Sequence, residues 1–129
     1  MYPFEPWLLR GNLDSIYDVD NIELNSGLKI YLIPDGVRRD SLQGQKIMLH
    51  WDNFLCFQVS DETYREDCWA SDQKDVRTFY VSSDSPYLQA YKEKSVLFPD
   101  KALHFLLMGT NMIVDVLAST FPRVVITKE

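Results

Sequence analysis

The 129-residue chain is poor in cysteine, glycine and histidine, and it contains no long hydrophobic run. Its two cysteines, Cys56 and Cys68, are too few to define a disulfide framework. No apolar run approaches the roughly 20 residues that a membrane-spanning helix requires. The N-terminus shows neither the basic nor the apolar region of a secretory signal. We therefore expect a cytoplasmic protein whose cysteines are free thiols.

Motifs for catalysis and cofactor binding are also absent. The chain contains none of the patterns GxGxxG, GxxxxGK[ST], HExxH, GxSxG and CxxC, each of which solves a specific geometric problem of binding or catalysis. Only His50 and His104 are present, and neither has neighbours at metal-ligand spacing. We expect no cofactor and no metal, and we interpret both residues as strand histidines that a neighbouring group satisfies.

The chain has instead the composition of a folded acidic domain. Its net charge is −6, and 46% of its residues are hydrophobic. Such a charge repels phosphate backbones and anionic membrane surfaces, so we expect no nucleic-acid partner and no membrane partner. There is no internal repeat, low-complexity stretch or linker rich in Gly, Pro or Ser, which predicts a single domain over residues 1–129.

Alternating apolar and polar residues predict mainly β-strands. The clearest pair comprises 22–24 and 28–33, which the turn signal Asn25-Ser26-Gly27 joins into an antiparallel hairpin. The apolar run 54–59 predicts a central strand buried on both faces. Other predicted strands are Trp7–Leu9 at an edge, Ile47–Trp51, Arg77–Val81, Ala102–Met108 and Val124–Ile126. Residues 112–117 favour a strand through their branched side chains, but they also fit a helical stripe.

One helix is predicted near 85–95. Ser83-Asp84-Ser85-Pro86 supplies an N-cap followed by proline at the first helical position, and lysines lie in the last turn. About eight strands joined mostly by short turns, with this one helix, predict an α+β fold. It is mainly antiparallel β-sheet with the helix packed on one face.

Acidic residues concentrate in two segments. Residues 61–75 hold six acids and two bases, and residues 14–23 hold four acids and no base. Aromatic residues lie within both segments, Tyr17 among them, and acids mixed with exposed aromatics suit a surface that meets a basic protein. The predicted partner-binding residues are Asp61, Glu62, Tyr64, Glu66, Asp67 and Trp69. The competing interpretation is a solvated, solubilising face.

Two further interpretations stay open. One is a small cysteine-dependent hydrolase in which Cys56 is the nucleophile, His104 the base and a carboxylate such as Asp115 the orienting group. The other is a structural or oligomeric subunit whose apolar C-terminal strands complete a neighbour's sheet. The acidic pairs 61–62 and 66–67 lack the apolar surroundings that would raise a carboxyl pKa for acid–base catalysis.

Two stretches carry a resemblance to small uncharacterised bacterial proteins, some of which are immunity proteins that neutralise a toxin made by the same cell. The first runs from Leu49 to Glu62 and places an Asp-Glu pair after an apolar strand; the second runs from His104 to Leu117 and is closed by Pro122. The resemblance covers about a third of the chain and brings no catalytic residues. It implies an inhibitor, and many toxin domains are basic nucleases, so we expect a non-enzymatic acidic protein that acts by occlusion.

Overall fold

Nine strands and one helix form the part of the chain that the structure describes, a computed structural model covering residues 4–6, 17–34, 45–61, 79–109 and 112–128. The strands are β1 (Glu5–Pro6), β2 (Tyr17–Leu24), β3 (Leu28–Pro34), β4 (Gln45–Trp51), β5 (Cys56–Ser60), β6 (Phe79–Ser82), β7 (Leu103–Met108), β8 (Ile113–Ala118) and β9 (Arg123–Lys128). The helix α1 (Pro86–Lys94) lies between β6 and β7. The predicted α+β class, dominated by antiparallel sheet, is confirmed.

The strands form two sheets in which every pairing is antiparallel. Sheet A has the order β1-β6-β7-β8-β5, and sheet B has the order β2-β3-β4-β9. The two sheets share one hydrophobic core, in which Tyr17 contacts Phe79 and Trp51 contacts Phe105, with ring centroids 5.6 and 5.3 Å apart. The alternation seen in the sequence therefore buries one face of each sheet against the other.

The β2–β3 hairpin is confirmed, and its turn has a definite backbone requirement. Ser26 and Gly27 have φ angles of 56° and 105°, and a Cβ atom at Gly27 would lie 2.2 Å from the carbonyl oxygen of Trp51. Both the positive φ and this close approach require glycine at position 27. The turn therefore fixes the hairpin against the end of β4.

Helix α1 begins where the sequence predicts. The Ser85 hydroxyl accepts a hydrogen bond from the Leu88 amide, and Pro86 occupies the first turn, where its missing N–H leaves no intrahelical bond unmade. Leu88 is fully buried in a small cluster with Ala102 and Leu117, on the face of sheet A that points away from sheet B. Sheet A is thus covered by sheet B on one side and by α1 on part of the other.

Two expectations about individual segments are corrected. The run 54–59 is not a central strand: β5 lies at the end of the described sheet A, and Gln58 and Val59 are exposed. Tyr17 is fully buried, so it is not a surface aromatic of the acidic segment 14–23.

The segment 112–117, for which the sequence allows either a strand or a helix, forms most of β8, a strand with β7 and β5 on its two sides. The predicted strand Trp7–Leu9 lies outside the described residues.

Candidate functional site

Among the described residues, the largest concentration of buried polar side chains lies between α1 and sheet A and is centred on His104. The ring nitrogen Nδ1 lies 2.6 Å from Ser85 Oγ, and Nε2 lies 2.6 Å from Asp115 Oδ1. The second carboxylate oxygen of Asp115 accepts a hydrogen bond of 3.1 Å from Gln58 Nε2. Side chains from β5, β7, β8 and the start of α1 therefore form one connected chain of hydrogen bonds.

The partners of His104 determine how this chain of hydrogen bonds is directed. In the neutral tautomer whose Nε2 carries the proton, Nε2–H donates to the Asp115 carboxylate and Nδ1 accepts. The Ser85 hydroxyl donates to Nδ1 while its oxygen accepts from the Leu88 amide. In this arrangement a neutral imidazole, a hydroxyl and a helix N-terminal amide all have partners.

Burial of this network is complete at its centre. Ser85 and Asp115 are 0% exposed and His104 is 1% exposed. The rings of Phe4 and Tyr87 lie against the imidazole, with centroids 4.9 and 5.0 Å from it. Burial, together with the neighbouring Cys56, raises the pKa of Tyr87 well above its usual range. The surroundings of the network thus exclude water and keep this phenol protonated.

Serine, histidine and aspartate in a row are the components of a hydrolase triad, but the geometry here differs in three respects. The serine is bonded to Nδ1 and the carboxylate to Nε2, the reverse of the usual arrangement. The Ser85 hydroxyl already caps α1 and is inaccessible to a substrate. The residue after it, Pro86, has no N–H to stabilise an oxyanion. This geometry suits a structural role: the network joins the helix to the sheet.

The cysteine constellation suggested by the sequence is assembled only in part. The predicted base and orienting group, His104 and Asp115, are in contact, whereas the sulfur of Cys56 lies 3.6 Å from the Tyr87 hydroxyl. Both ring nitrogens of His104 are engaged with other groups. The sequence marks Ser85 only through its position in the Ser-Asp-Ser-Pro helix cap. Its pairing with His104, 19 residues away, depends on where the tertiary structure places β7 relative to the start of α1.

His50 forms a second polar cluster, at one end of sheet B. Its Nε2 donates to the Ser26 carbonyl at 2.7 Å, and its Nδ1 accepts from the Arg123 guanidinium at 2.7 Å. Arg123 also donates to Asp52 at 2.8 Å. The expectation that neighbouring groups satisfy both histidines is confirmed, and here the histidine links the β2–β3 turn to β9.

Of the predicted partner-binding residues, only Asp61 lies in the described part of the chain. It is exposed and follows the last residue of β5. Glu62, Tyr64, Glu66, Asp67 and Trp69 lie outside the described residues, as does Cys68. The second acidic segment is described from residue 17 onward: Asp20 is exposed, while Glu23 accepts a hydrogen bond from Tyr31 and lies 3.9 Å from Lys29 Nζ.

The outward face of sheet B carries a shallow groove of about 310 Å³. Strands β3, β4 and β9 contribute apolar side chains to it, and Asp20 and Lys46 lie on its rim.

Among the described residues, no group of three or more His, Cys, Asp or Glu side chains is placed to hold a metal ion. The described helix is neither long nor apolar enough to cross a membrane. No protein-family model, curated protein or solved structure matches the chain.

Proposed function

We propose that this chain is a non-enzymatic, acidic binding protein of the immunity type, which works in the cytoplasm and neutralises a basic protein toxin by covering its active surface. The observation that carries the proposal is the exposed Asp61 at the exit of β5, where the longer of the two acidic segments of the chain begins. Residues 61–75 have a net charge of −4, as do residues 14–23, in a chain whose total is −6. The carboxylates of this segment occupy the positions that substrate phosphates take on a nuclease.

Electrostatic steering and aromatic anchoring have separate roles in this mechanism. The acids accelerate the encounter with a cationic partner, and this effect weakens as salt shortens the Debye length from about 10 Å at 0.1 M to about 3 Å at 1 M. Tyr64 and Trp69 supply contact area at the centre of the interface. Tyr17 has no part in it because it belongs to the core.

The geometry around His104 supports the non-enzymatic reading over the cysteine hydrolase. Its two ring nitrogens are bonded to Ser85 and Asp115 in a region closed to solvent, so neither nitrogen is directed at Cys56. The pairing of His104 with Asp115 is the one observation that favours the hydrolase. Replacement of Cys56 by alanine tests that alternative, which requires loss of a hydrolytic activity in a variant that stays folded.

Charge reversal tests the binding proposal. The probe is the purified protein product of the gene adjacent to that of this chain, with affinity measured by titration calorimetry at 0.1 M salt. The triple variant Glu62→Lys, Glu66→Lys, Asp67→Lys should weaken binding at least tenfold. The matched control reverses three exposed acids elsewhere, Glu5→Lys, Glu93→Lys and Asp100→Lys, and changes the net charge equally. If the two triple variants lost the same amount of affinity, the effect would come from net charge alone, and the proposed binding surface would be refuted.

A further inference from the structure

Charges on the outward face of sheet B are segregated by strand. Among the described residues, the charged side chains of β2 are all acidic: Asp18, Asp20 and Glu23. The basic side chains lie on the other three strands: Lys29 on β3, Lys46 on β4 and Arg123 on β9. Tyr31, Ile33 and Met48 lie on the two middle strands, β3 and β4, and line the groove of about 310 Å³ together with Val125 of β9. The face therefore has acids on its β2 side, cations on the other three strands and apolar residues among them.

Two of these charges have no counterion in the described part of the molecule. Glu23 is close to Lys29, and Arg123 is bonded to Asp52. Asp20 and Lys46, by contrast, are exposed and make no ion pair with any described residue. They lie on strands separated by β3, about 10 Å apart across the sheet. A partner that matches this face must offer a cation on one side and an anion on the other.

The backbone around Asp20 also indicates that its carboxylate is positioned to meet a partner. The register of β2 against β3 shifts between Val19 and Asn21, so Asp20 is the extra residue of a β-bulge. Bulges redirect side chains and occur preferentially at sheet edges and functional positions. Here the bulge places an exposed carboxylate on the rim of the groove.

We propose that this face binds the same face of a second copy of the chain. A face with one acidic and one basic side is complementary to itself when a two-fold axis brings the opposite sides together. The contact is sheet against sheet, with the side chains of Tyr31 and Met48, on the two middle strands, at the centre in both copies. It therefore differs from strand addition at a sheet edge.

Charge selects one of the two symmetric arrangements. If the two-fold axis ran across the strands, β2 of one copy would lie over β2 of the other, and the acids would repel. If the axis runs along the strands, β2 lies over β9 of the other copy and β3 over β4. Asp20 is then displaced sideways by about one strand spacing, close to 5 Å, from the strand that carries Lys46 of the other copy, with about 10 Å between the packed sheets, and the long lysine side chain covers the sideways offset. The symmetry repeats this pair on the other side of the axis.

The size of the face sets the expected strength. Four strands about 4.8 Å apart and five residues of each strand span roughly 19 by 17 Å. This is about 320 Å² per copy, below the roughly 800 Å² per partner of a standard interface, so the dimer should be weak and should form only at high micromolar concentrations or above. Because the symmetry repeats each Asp20–Lys46 pair, reversing one charge per chain turns two attractions into two repulsions. We expect at least about a tenfold weakening.

Charge exchange gives the decisive experiment. The molar mass of the full chain is measured by light scattering across a concentration series that reaches the high micromolar range. The wild type should rise from the monomer mass of 15.1 kDa toward twice that value. Asp20→Lys and Lys46→Glu should each stay monomeric at the same concentrations. An equimolar mixture of the two variants, and the double variant, should dimerise again because every pair regains opposite charges.

Three results would overturn the proposal. They are a wild type that stays monomeric throughout, single variants that dimerise as well as the wild type, and a mixture that does not recover. Circular dichroism of each variant, all altered at exposed positions, checks that the fold is kept. Binding of the adjacent gene's protein product is measured separately, so failure of the dimer and failure of the proposed function give different results.

Discussion

Asp115 provides the sharpest test of the role assigned to the buried network. Its carboxylate is 0% exposed and accepts hydrogen bonds from His104 at 2.6 Å and from Gln58 at 3.1 Å. Substitution by alanine removes both acceptors and leaves the imidazole N–H without its partner inside the protein. Hydrogen bonds to a charged group contribute about 1.5–3 kcal/mol each. Loss of one partner of a buried pair costs about 3–5 kcal/mol.

We therefore expect Asp115→Ala to lower the free energy of unfolding by about 3–5 kcal/mol, a large share of the roughly 5–15 kcal/mol typical of a domain. Urea unfolding followed by tryptophan fluorescence measures it. The matched control is Asp115→Asn, which keeps the shape and one oxygen acceptor. If the Gln58 amide turns to offer its own oxygen, asparagine restores both contacts, so we expect a cost of about 1–2 kcal/mol.

Two outcomes would refute this reasoning. If Asp115→Ala cost less than about 1 kcal/mol, the network would not stabilise the junction of α1 and sheet A. If alanine and asparagine cost the same, the effect would come from lost charge and not from lost acceptors. Because Ser85 belongs to the same chain of bonds, Ser85→Ala combined with Asp115→Ala should cost less than the sum of the two single changes.

Three further predictions concern other parts of the fold. Gly27→Ala should destabilise by about 1–3 kcal/mol in thermal unfolding because of its positive φ and a backbone oxygen 2.2 Å from the new Cβ, whereas Ser26→Gly should be neutral or slightly stabilising. Burial raises the pKa of Tyr17 to about 12, so the folded state holds this proton more tightly than the unfolded chain. The free energy of unfolding should be unaffected by Tyr17 below pH 10 and should fall between pH 10 and 12, and Tyr17→Phe should reduce that fall. Leu88→Ala should cost about 2–5 kcal/mol, while Leu97→Ala, at a side chain 88% exposed, should change stability by less than about 0.5 kcal/mol in the same urea assay.

Local chemistry explains why several elements could be predicted. The β2–β3 hairpin follows from the turn residues Asn25 to Gly27, and the start of α1 follows from Ser85 and Pro86. In each case the determining contacts join residues at most four apart. The two strand histidines were also interpreted correctly, as groups with neighbouring partners, since a polar ring in an alternating strand requires one when it is buried.

The candidate site was predicted less completely than the fold. The pairing of His104 with Asp115 was considered, but Ser85 and Gln58 were not connected with it. These contacts span 19 residues for Ser85 and 57 residues for Gln58 with Asp115. No spacing rule within a single strand or helix relates such positions. The proposed acidic surface stays a prediction beyond Asp61.

The amino-acid order alone determined which segments alternate, where the turn and the helix cap lie, and that the surface carries excess negative charge. Those properties depend on neighbours along the chain, through φ/ψ preferences and side-chain periodicity. Only the tertiary structure decided that the apolar run ending in β5 lies at the end of the described sheet A, that Tyr17 is buried, and that His104 is bonded to a helix cap. Each of these depends on which strands lie side by side, and strand order is selected by packing of the whole core, to which segments distant in sequence contribute together.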